Sequence, residues 1–514
     1  MMIATLLSAL ALTVIPPGER PVVHVAQGDV QGVRADGVAS FKGLPYAAPP
    51  VGPLRWRAPQ PAPLWTDVRQ ADRVGAVCIQ PPANGDNGVG PWPMSEDCLT
   101  LNVFAPADAG TGAPLPVMVW IHGGGYVNGS GTADLYDGSS LARRGVVVVT
   151  INYRLGRLGF FDHPALAAER PEGEAGGNYG VMDMIASLEW VRDNIAAFGG
   201  DPKQVTIFGE SAGGVAVSQL MVAPSARGLF HRAVIQSGLG RQPTSRLSDP
   251  SPSGASMQDR GVEYAAELGI GLIASADPLR AIPAETLLEP APGFYSGDLV
   301  IADGQVLPTS VEAAFAAGQE APVPLIVGTN SDEFPWFRAS AAGPFARFAE
   351  SITPEERDAI RATYADADAY EAEFISDLLF NEPARWLARR HAAAGHPTWL
   401  YRFDVYPDSM PEPRRGARHA QERQYVFDTL RTSPWPTGPA DDATAAAMGD
   451  YWATFAKTGA PAAAGHPVWP AVGEGPLSVL SFRREGPVAE PMPYTDRYDL
   501  LERAMDRLRD AGLR

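Results

Sequence analysis

The 514-residue sequence is poor in cysteine, in positive charge and in long hydrophobic runs. Its two cysteines do not form a CxxC pattern, so no metal or other cofactor is predicted. The 41 basic residues against 59 acidic ones give a net charge of −18, which disfavours binding to nucleic-acid phosphates. Beyond the N-terminus no apolar stretch approaches the roughly 20 residues that cross a bilayer, so stable membrane insertion is not expected. The 45% of hydrophobic residues indicate a globular chain.

The N-terminus carries one apolar run, over residues 2–15. The run is too short to span a membrane, but it suits the hydrophobic part of a signal peptide. No Lys or Arg precedes it and no clean A-x-A site follows, so a mis-assigned start or a buried N-terminal strand stays open. We predict a signal peptide over residues 1–20 and a secreted or periplasmic location. Cys78 and Cys98 are either inert core residues or a disulfide, and export to an oxidising compartment favours the disulfide.

Short apolar runs followed by turn signals alternate with helical patterns along the chain. They predict buried strands over residues 117–122, 146–153, 204–208, 233–235, 324–328, 399–403 and 477–482. Apolar residues at helical spacing over 178–198 end in Gly199-Gly200, which predicts a helix and its stop. The alternation predicts an α/β fold with a mostly parallel, doubly wound sheet. Two insertions are predicted, over about 241–303, with short helices at 259–268 and 283–288, and over about 336–395. They either cover the active-site face or form ordinary surface structure.

The main chemical signal is a turn between a predicted strand and a predicted helix. Strand QVTIF leads into Gly209-Glu210-Ser211-Ala212-Gly213-Gly214, and an apolar helix follows. A GxSxG string is weak alone, but strand before and helix after are typical of a nucleophile elbow, in which Ser211 sits on a sharp turn. Upstream, strand VMVWIH ends in three glycines, residues 123–125, whose free backbone can direct N–H groups toward an oxyanion. A spectator serine and a plain glycine hairpin are the competing interpretations.

A serine nucleophile needs a base and an acid, which follow it in the chain in this class of fold. Of the histidines after Ser211, only His419 lies in a polar loop between a strand and a later helix. The others lie too close to the elbow, in a helix, or in a turn before proline: His231, His391, His396 and His466. The acid is expected just past a strand end, where Asp332 and Glu333 are equally placed.

Long motifs throughout the chain resemble type-B carboxylesterases, the cholinesterase-like branch of the α/β-hydrolases. The resemblance runs from about residue 30 to residue 500. It is carried by FGGDP with VTIFGESAGG, EDCLTLNV, FKGLPYAAPPVGPLRW, GNYGVMDMIASLEWVRDN, GTNSDE and YWATFAKTGAP. The cysteines of the additional disulfides in animal cholinesterases are missing here, so the chain is more similar to bacterial members.

The resemblance implies an α/β-hydrolase fold, a large mostly parallel sheet flanked by helices, in a single domain over residues 21–514. It also implies a role for each candidate residue. The family's acid ends the GTNxDE phrase, which selects Glu333 over Asp332, and its histidine lies in a GAxH segment, which matches His419. The remaining residues implied by the family pattern are an oxyanion hole of Gly124, Gly125 and Ala212, a buried electrostatic glutamate at Glu210, and a Cys78–Cys98 disulfide.

The expected function is hydrolysis of small carboxylic esters by a Ser-His-Glu triad through an acyl-enzyme. An amidase or peptidase on the same scaffold is the alternative, and a non-catalytic interaction protein is a remoter one because the triad residues are all present. No choline-site tryptophan can be mapped after the glycine run, which argues against cholinesterase activity. Phe334-Pro335 stands where many members carry glycine after the acid, which predicts a changed pocket wall.

Overall fold

An eleven-stranded mixed sheet organises the chain in a computed structural model. The structure describes residues 20–82, 92–242, 244–250, 254–271, 275–290, 299–334, 351–411, 415–473 and 475–511. The strands are β1 Val33–Ala35, β2 Val38–Pro45, β3 Thr100–Pro106, β4 Leu115–Ile121, β5 Val147–Ile151, β6 Gly200–Glu210, β7 Arg232–Gln236, β8 Leu325–Asn330, β9 Thr398–Phe403, β10 Ser478–Arg483 and β11 Gly486–Pro491. Residues 1–19 of the predicted signal peptide, residues 243, 251–253, 272–274 and 291–298 of the first predicted insertion and residues 336–350 of the second lie outside the described residues.

The sheet order is β11-β10-β9-β8-β7-β6-β4-β5-β3-β2-β1. Strands β5, β4, β6, β7, β8, β9 and β10 pair in parallel, and the strands at both edges pair antiparallel. The middle residues of the central strands are buried and mostly apolar because helices cover both faces of the sheet. Val119 of β4 packs into the core on one face, and its neighbour Trp120 packs into the core on the other. The predicted α/β fold is confirmed.

Fourteen α-helices connect and cover the strands within the described residues. They are α1 Ser139–Arg143, α2 Gly156–Gly159, α3 Pro164–Glu169, α4 Tyr179–Asn194, α5 Ala212–Val222, α6 Met257–Glu267, α7 Asp277–Arg280, α8 Val311–Ala316, α9 Pro354–Arg361, α10 Ala367–Ser376, α11 Glu382–Ala393, α12 Arg423–Phe427, α13 Pro439–Thr458 and α14 Thr495–Asp510. A π-helical turn, Asp377–Asn381, joins α10 to α11. Within these same residues, no helix is both long and apolar enough to cross a bilayer.

Short two- and three-stranded sheets lie outside the main sheet. Val22–Val25, Gly28–Gln31 and Arg69–Gln70 form one of them. Cys78 and Cys98 form a disulfide, as the family resemblance implied. The predicted helix over residues 178–198 begins at Tyr179, tightens to a 3₁₀ turn over its last four residues, and stops at Gly199, whose φ is +80°.

Candidate active site

Ser211 occupies a strained turn between the carboxyl end of β6 and the first residue of α5. Its φ of +56° is unusual for a residue with a Cβ, and such strain persists where the surrounding structure holds it. The flanking glycines make the turn possible, because a Cβ on Gly213 would lie 2.0 Å from the Ile121 carbonyl oxygen. A Cβ on Gly209 would lie 2.6 Å from the backbone of Gly213. The predicted elbow therefore forms for a steric reason that is local to the motif.

His419 lies in the loop after β9 and touches both other candidate residues. Its Nε2 lies 2.8 Å from Ser211 Oγ, and its Nδ1 lies 2.6 Å from Glu333 Oε2. The His419 backbone N–H also donates to the Glu333 carbonyl at 3.0 Å, which ties the two loops together. With Nδ1–H donating to Glu333, the neutral ring presents a lone pair at Nε2 to the serine hydroxyl. This is the arrangement that general-base activation of a serine requires.

The adjacent carboxylates Asp332 and Glu333 have different surroundings. Glu333 is fully buried, and its Oε1 accepts the backbone N–H of Asn330 at 2.8 Å while Oε2 accepts from His419. The backbone N–H of Asp332 donates to the Ala417 carbonyl. Its carboxylate lies near the positive charges of Arg415 and Arg418, in the loop after β9. Burial raises the pKa of Asp332 to about 6. The structure thus brings Glu333, and not Asp332, to the histidine.

Glu210 lies beneath the serine and adds a second carboxylate to the histidine. Its Oε1 is 3.3 Å from His419 Nε2, and its Oε2 is 3.9 Å from Arg423 Nε. Burial raises the pKa of Glu210 to about 7, against the opposing charges of His419 and Arg423. Burial alone would lower the pKa of His419, but the charges of Glu210 and Glu333 outweigh it and the net shift is upward. The site therefore favours the imidazolium form more than water does.

The glycine run follows β4 directly and lies against the elbow. A Cβ on Gly123 would stand 3.1 Å from Ser211 Cβ, so this backbone passes very close to the nucleophile. Gly124 and Gly125 have φ values of +108° and +62°. Within the described part of the chain, no group accepts a hydrogen bond from the backbone N–H of Gly124, Gly125 or Ala212. These three donors are therefore available to a bound molecule.

Behind the triad lies a buried polar network that the sequence analysis missed. Glu422 is fully buried, and it accepts Asn330 Nδ2 at 2.7 Å and Gln236 Nε2 at 3.1 Å. Asn330 also donates to the Arg418 carbonyl at 2.7 Å, next to His419. The network thus joins the ends of β7 and β8 to the histidine loop. The sequence feature that could have revealed this network is Glu422, a charged residue three positions after His419 that the fold buries.

Two phenylalanine rings form one wall beside the histidine. The rings of Phe334 and Phe380 each lie 5.0 Å from the His419 ring, and they meet edge-to-face at 4.8 Å. Phe334 is the residue that departs from the family pattern. Phe380 belongs to the π-helical turn, inside the second predicted insertion, and nothing in its sequence context marked it as part of the site. That insertion therefore reaches the candidate site.

The remaining candidate histidines lie elsewhere. The ring of His231, at the start of β7, accepts the backbone N–H of Val205 at 3.3 Å. His466 lies near the Tyr451 ring, at 6.2 Å. His391 is buried at the end of α11, as its helical context predicted, and His396 lies next to it in the loop before β9. Together with Glu320, these last two are the group of described residues able to hold a metal ion.

Comparisons with known proteins identify the family of this chain. The sequence model described as "Carboxylesterase family" matches residues 19–371 and 345–500. The chain is 38% identical to fumonisin B1 esterase of Sphingopyxis macrogoltabida, over 90% of this chain and 87% of that protein. It is 37% identical to para-nitrobenzyl esterase of Bacillus subtilis, over 86% and 90%. Solved structures of a PNB esterase and of a thermophilic PNB esterase superpose with TM-scores of 0.81 and 0.82, each at 33% identity, covering 93% of this chain and 99% of theirs. The chain belongs to the carboxylesterase family and is a carboxylesterase with the α/β-hydrolase fold.

Proposed function

We propose that Ser211, His419 and Glu333 are the catalytic triad that hydrolyses the ester through an acyl-enzyme. The observation that carries the proposal is the continuous hydrogen-bonded path from Ser211 Oγ through the imidazole to Glu333, at 2.8 and 2.6 Å. A serine hydroxyl is a weak nucleophile at neutral pH until a neighbouring base takes its proton. His419 is the base within reach of that proton, and Glu333 holds its Nδ1–H and stabilises the cation that forms.

In the first half of the reaction, Ser211 Oγ forms a bond to the acyl carbon while its proton passes to His419 Nε2. The negative charge that develops on the carbonyl oxygen is held by the backbone N–H groups of Gly124, Gly125 and Ala212. Their availability within the described chain supports this assignment. The C–O bond then breaks, and His419 gives its proton to the leaving alcohol. Removing one donor from such a hole typically costs about 100-fold or more in rate.

In the second half, water attacks the acyl-enzyme, with His419 again taking the proton. His419 then returns this proton to Ser211 Oγ as the acyl C–O bond breaks, which releases the acid and regenerates Ser211. The carboxylate of Glu210 faces the same nitrogen from 3.3 Å and stabilises the imidazolium that forms in both halves. Its role is electrostatic, because His419 rather than Glu210 lies within hydrogen-bond reach of the serine oxygen.

The substrates are small-molecule esters, which enter beside the ring pair of Phe334 and Phe380. The contact of both rings with His419 supports a pocket wall built partly by the second insertion. The disulfide is consistent with an oxidising location, and we propose that the protein is secreted or periplasmic.

Turnover of p-nitrophenyl acetate by Ser211→Ala tests the nucleophile. We expect hydrolysis to fall by several orders of magnitude, to the small residual rate that the oxyanion donors and binding alone supply, while the thermal unfolding midpoint stays close to that of the parent. Labelling by a fluorophosphonate probe should be lost in the same variant. Ser218→Ala is the matched control, since Ser218 lies two turns further along α5 and donates to the Val215 carbonyl. Retained turnover in Ser211→Ala would refute the proposal.

Comparing matched ester and anilide substrates tests the reaction class. The same machinery cleaves both bonds in principle, but an amine leaves less readily than an alcohol and needs more help from the general acid. We expect the ester to be preferred by a large factor. Equal rates on the two substrates would favour the amidase alternative.

A further inference from the structure

Three metal-binding side chains meet at the edge of the sheet opposite Ser211. Glu320 lies five residues before β8, His391 is in the last turn of α11, and His396 precedes β9 by two residues. One ligand atom from each lies within 4.8 Å of the others. Ser211 follows the carboxyl end of the parallel strand β6, whereas this cluster lies at the amino ends of β8 and β9. The cluster is therefore separate from the active site.

The two contacts of His391 need two protons, but a neutral imidazole ring carries only one. Its Nε2 lies 2.8 Å from the Val323 carbonyl oxygen, which only accepts, so this nitrogen carries a proton. Its Nδ1 lies 2.8 Å from Glu320 Oε1. In a neutral ring Nδ1 then offers a lone pair, and a carboxylate oxygen also offers only lone pairs. Something positive must lie between these two atoms, either a second proton or a metal ion.

The other two members of the cluster are Glu320 and His396. Glu320 is 3% exposed, and its Oε2 has no hydrogen-bond partner among the described residues. The ring of His396 lies 4.7 Å from the ring of His391, and each of the three side chains brings one ligand atom to the cluster. The nearby cation that acts on Glu320 is Arg227, whose guanidinium donates to the Gln319 carbonyl.

We propose that Glu320, His391 and His396 bind a divalent zinc ion that fastens the α11–β9 loop to the segment before β8. Two imidazoles and one carboxylate are a ligand set that zinc commonly takes. The contact of His391 Nε2 with a backbone carbonyl is also typical of zinc-bound histidine, because it orients the ring and leaves the other nitrogen free for the metal.

The distances require only small adjustments. Two ligands about 2.1 Å from a tetrahedral zinc lie about 3.4 Å apart, so His391 Nδ1 and Glu320 Oε1 need to separate by about half an ångström. His396 is partly exposed, and it follows Gly395, whose φ of +89° places the ring on a tight turn. The His396 side chain can therefore bring a ring nitrogen to within bonding distance of the ion, and water can supply the fourth ligand. Because the site lies away from the triad, the ion stabilises the contact between the two segments and takes no part in ester hydrolysis.

Zinc binding to the full-length chain, stripped with a chelator and dialysed, tests the proposal. Isothermal titration with ZnCl₂ should give one ion per chain, and the thermal unfolding midpoint should rise with the logarithm of zinc concentration. Cobalt should give the visible absorption bands of tetrahedral Co²⁺. His396→Ala should weaken zinc binding by about 100-fold or more and abolish the rise in midpoint. Hydrolysis of p-nitrophenyl acetate should stay unchanged, because this variant leaves the triad intact.

His24→Ala is the matched control, because His24 Nδ1 also pairs with a carboxylate, Asp29, at 2.7 Å but on the exposed surface. It should leave zinc binding unchanged. The alternative is a metal-free ion pair in which His391 carries two protons. Nitrogen chemical shifts that report an imidazolium at His391 in excess zinc would overturn the proposal. So would the absence of one-to-one binding, or binding that His396→Ala does not weaken.

Discussion

Glu333→Gln tests whether Glu333 acts as the acid of the triad through its hydrogen bonds to His419 and Asn330. In the structure, Glu333 Oε1 accepts the backbone N–H of Asn330 at 2.8 Å, and Oε2 accepts His419 Nδ1–H at 2.6 Å. Both carboxylate oxygens therefore face donors. Glutamine keeps the shape of the side chain but replaces one acceptor by an NH₂ group, so one of the two contacts must fail.

The magnitude follows from which contact fails. If the amide NH₂ faces the Asn330 N–H, two donors oppose each other in a buried site, at a cost of about 1–3 kcal/mol. If it faces His419, Nδ1 must accept and the ring proton moves to Nε2, toward Ser211. The second orientation avoids the buried clash, but it leaves the histidine in a tautomer that cannot take the serine proton. We expect kcat/KM to fall about 10,000-fold, which is about 5 kcal/mol of transition-state stabilisation.

The assay is kcat/KM for p-nitrophenyl acetate at neutral pH, together with the rate of fluorophosphonate labelling. Asp332→Asn is the matched control, because it is the adjacent residue and the same chemical change. We expect the control to keep activity within about threefold, since Asp332 does not contact His419. A decrease of less than tenfold in Glu333→Gln, or an equal decrease in both variants, would refute the reasoning.

Three further predictions concern the other parts of the site and the fold. Glu210→Gln should move the acidic limb of kcat/KM to lower pH, because the carboxylate of Glu210 raises the pKa of His419; an unchanged or upward-shifted limb in the pH–rate profile would contradict this. Gly124→Ala should lower kcat by about 100-fold or more, since a Cβ there would lie 2.2 Å from the Asn128 carbonyl oxygen, whereas Gly173→Ala, at a left-handed position with open space, should keep full kcat. Replacing Cys78 and Cys98 together by serine should lower the free energy of unfolding by about 3 kcal/mol, given their separation of 20 residues. If urea denaturation gives the same free energy of unfolding with and without the disulfide, the prediction is wrong.

Much of the fold could be predicted because its central elements depend on local patterns. The apolar run over residues 146–153 predicted a buried strand, and β5 occupies residues 147–151 with every side chain buried. The run over 204–208 predicted the core of β6 but not its full length, Gly200–Glu210. The additional residues are glycine, proline or charged, and their place in the strand depends on tertiary contacts: Gly200 and Gly209 pair with β4, and Glu210 pairs with β7.

The short helices of the insertions were harder to predict because weak local preferences decide them. The predicted helix over 259–268 lies at Met257–Glu267, where Ser256 and Asp259 form a capping box. The predicted helix over 283–288 is a 3₁₀ turn at Ala284–Leu288. Proline at position 283 and the small number of residues leave too few α-helical hydrogen bonds for a longer element.

The sequence by itself determined what depends on near neighbours in the chain. Gly209 and Gly213 leave room for the sharp turn at Ser211, where a Cβ would clash, and apolar periodicity identifies the strand and helix that flank it. The motifs were also sufficient to identify the family. These features were readable because steric limits on the backbone act over a few residues.

Only the tertiary structure decided which side chains meet across long stretches of chain. Ser211 and His419 are 208 residues apart, and their contact exists because parallel strands end at the same edge of one sheet. Residue chemistry alone left Asp332 and Glu333 equal; the family phrase favoured Glu333, and the structure shows that Glu333 is the one that contacts His419. Phe380 and Glu422 reached the site, and Glu320 reached His391, through packing between elements. Such contacts leave no local sequence pattern, because they form between residues that are distant in the chain.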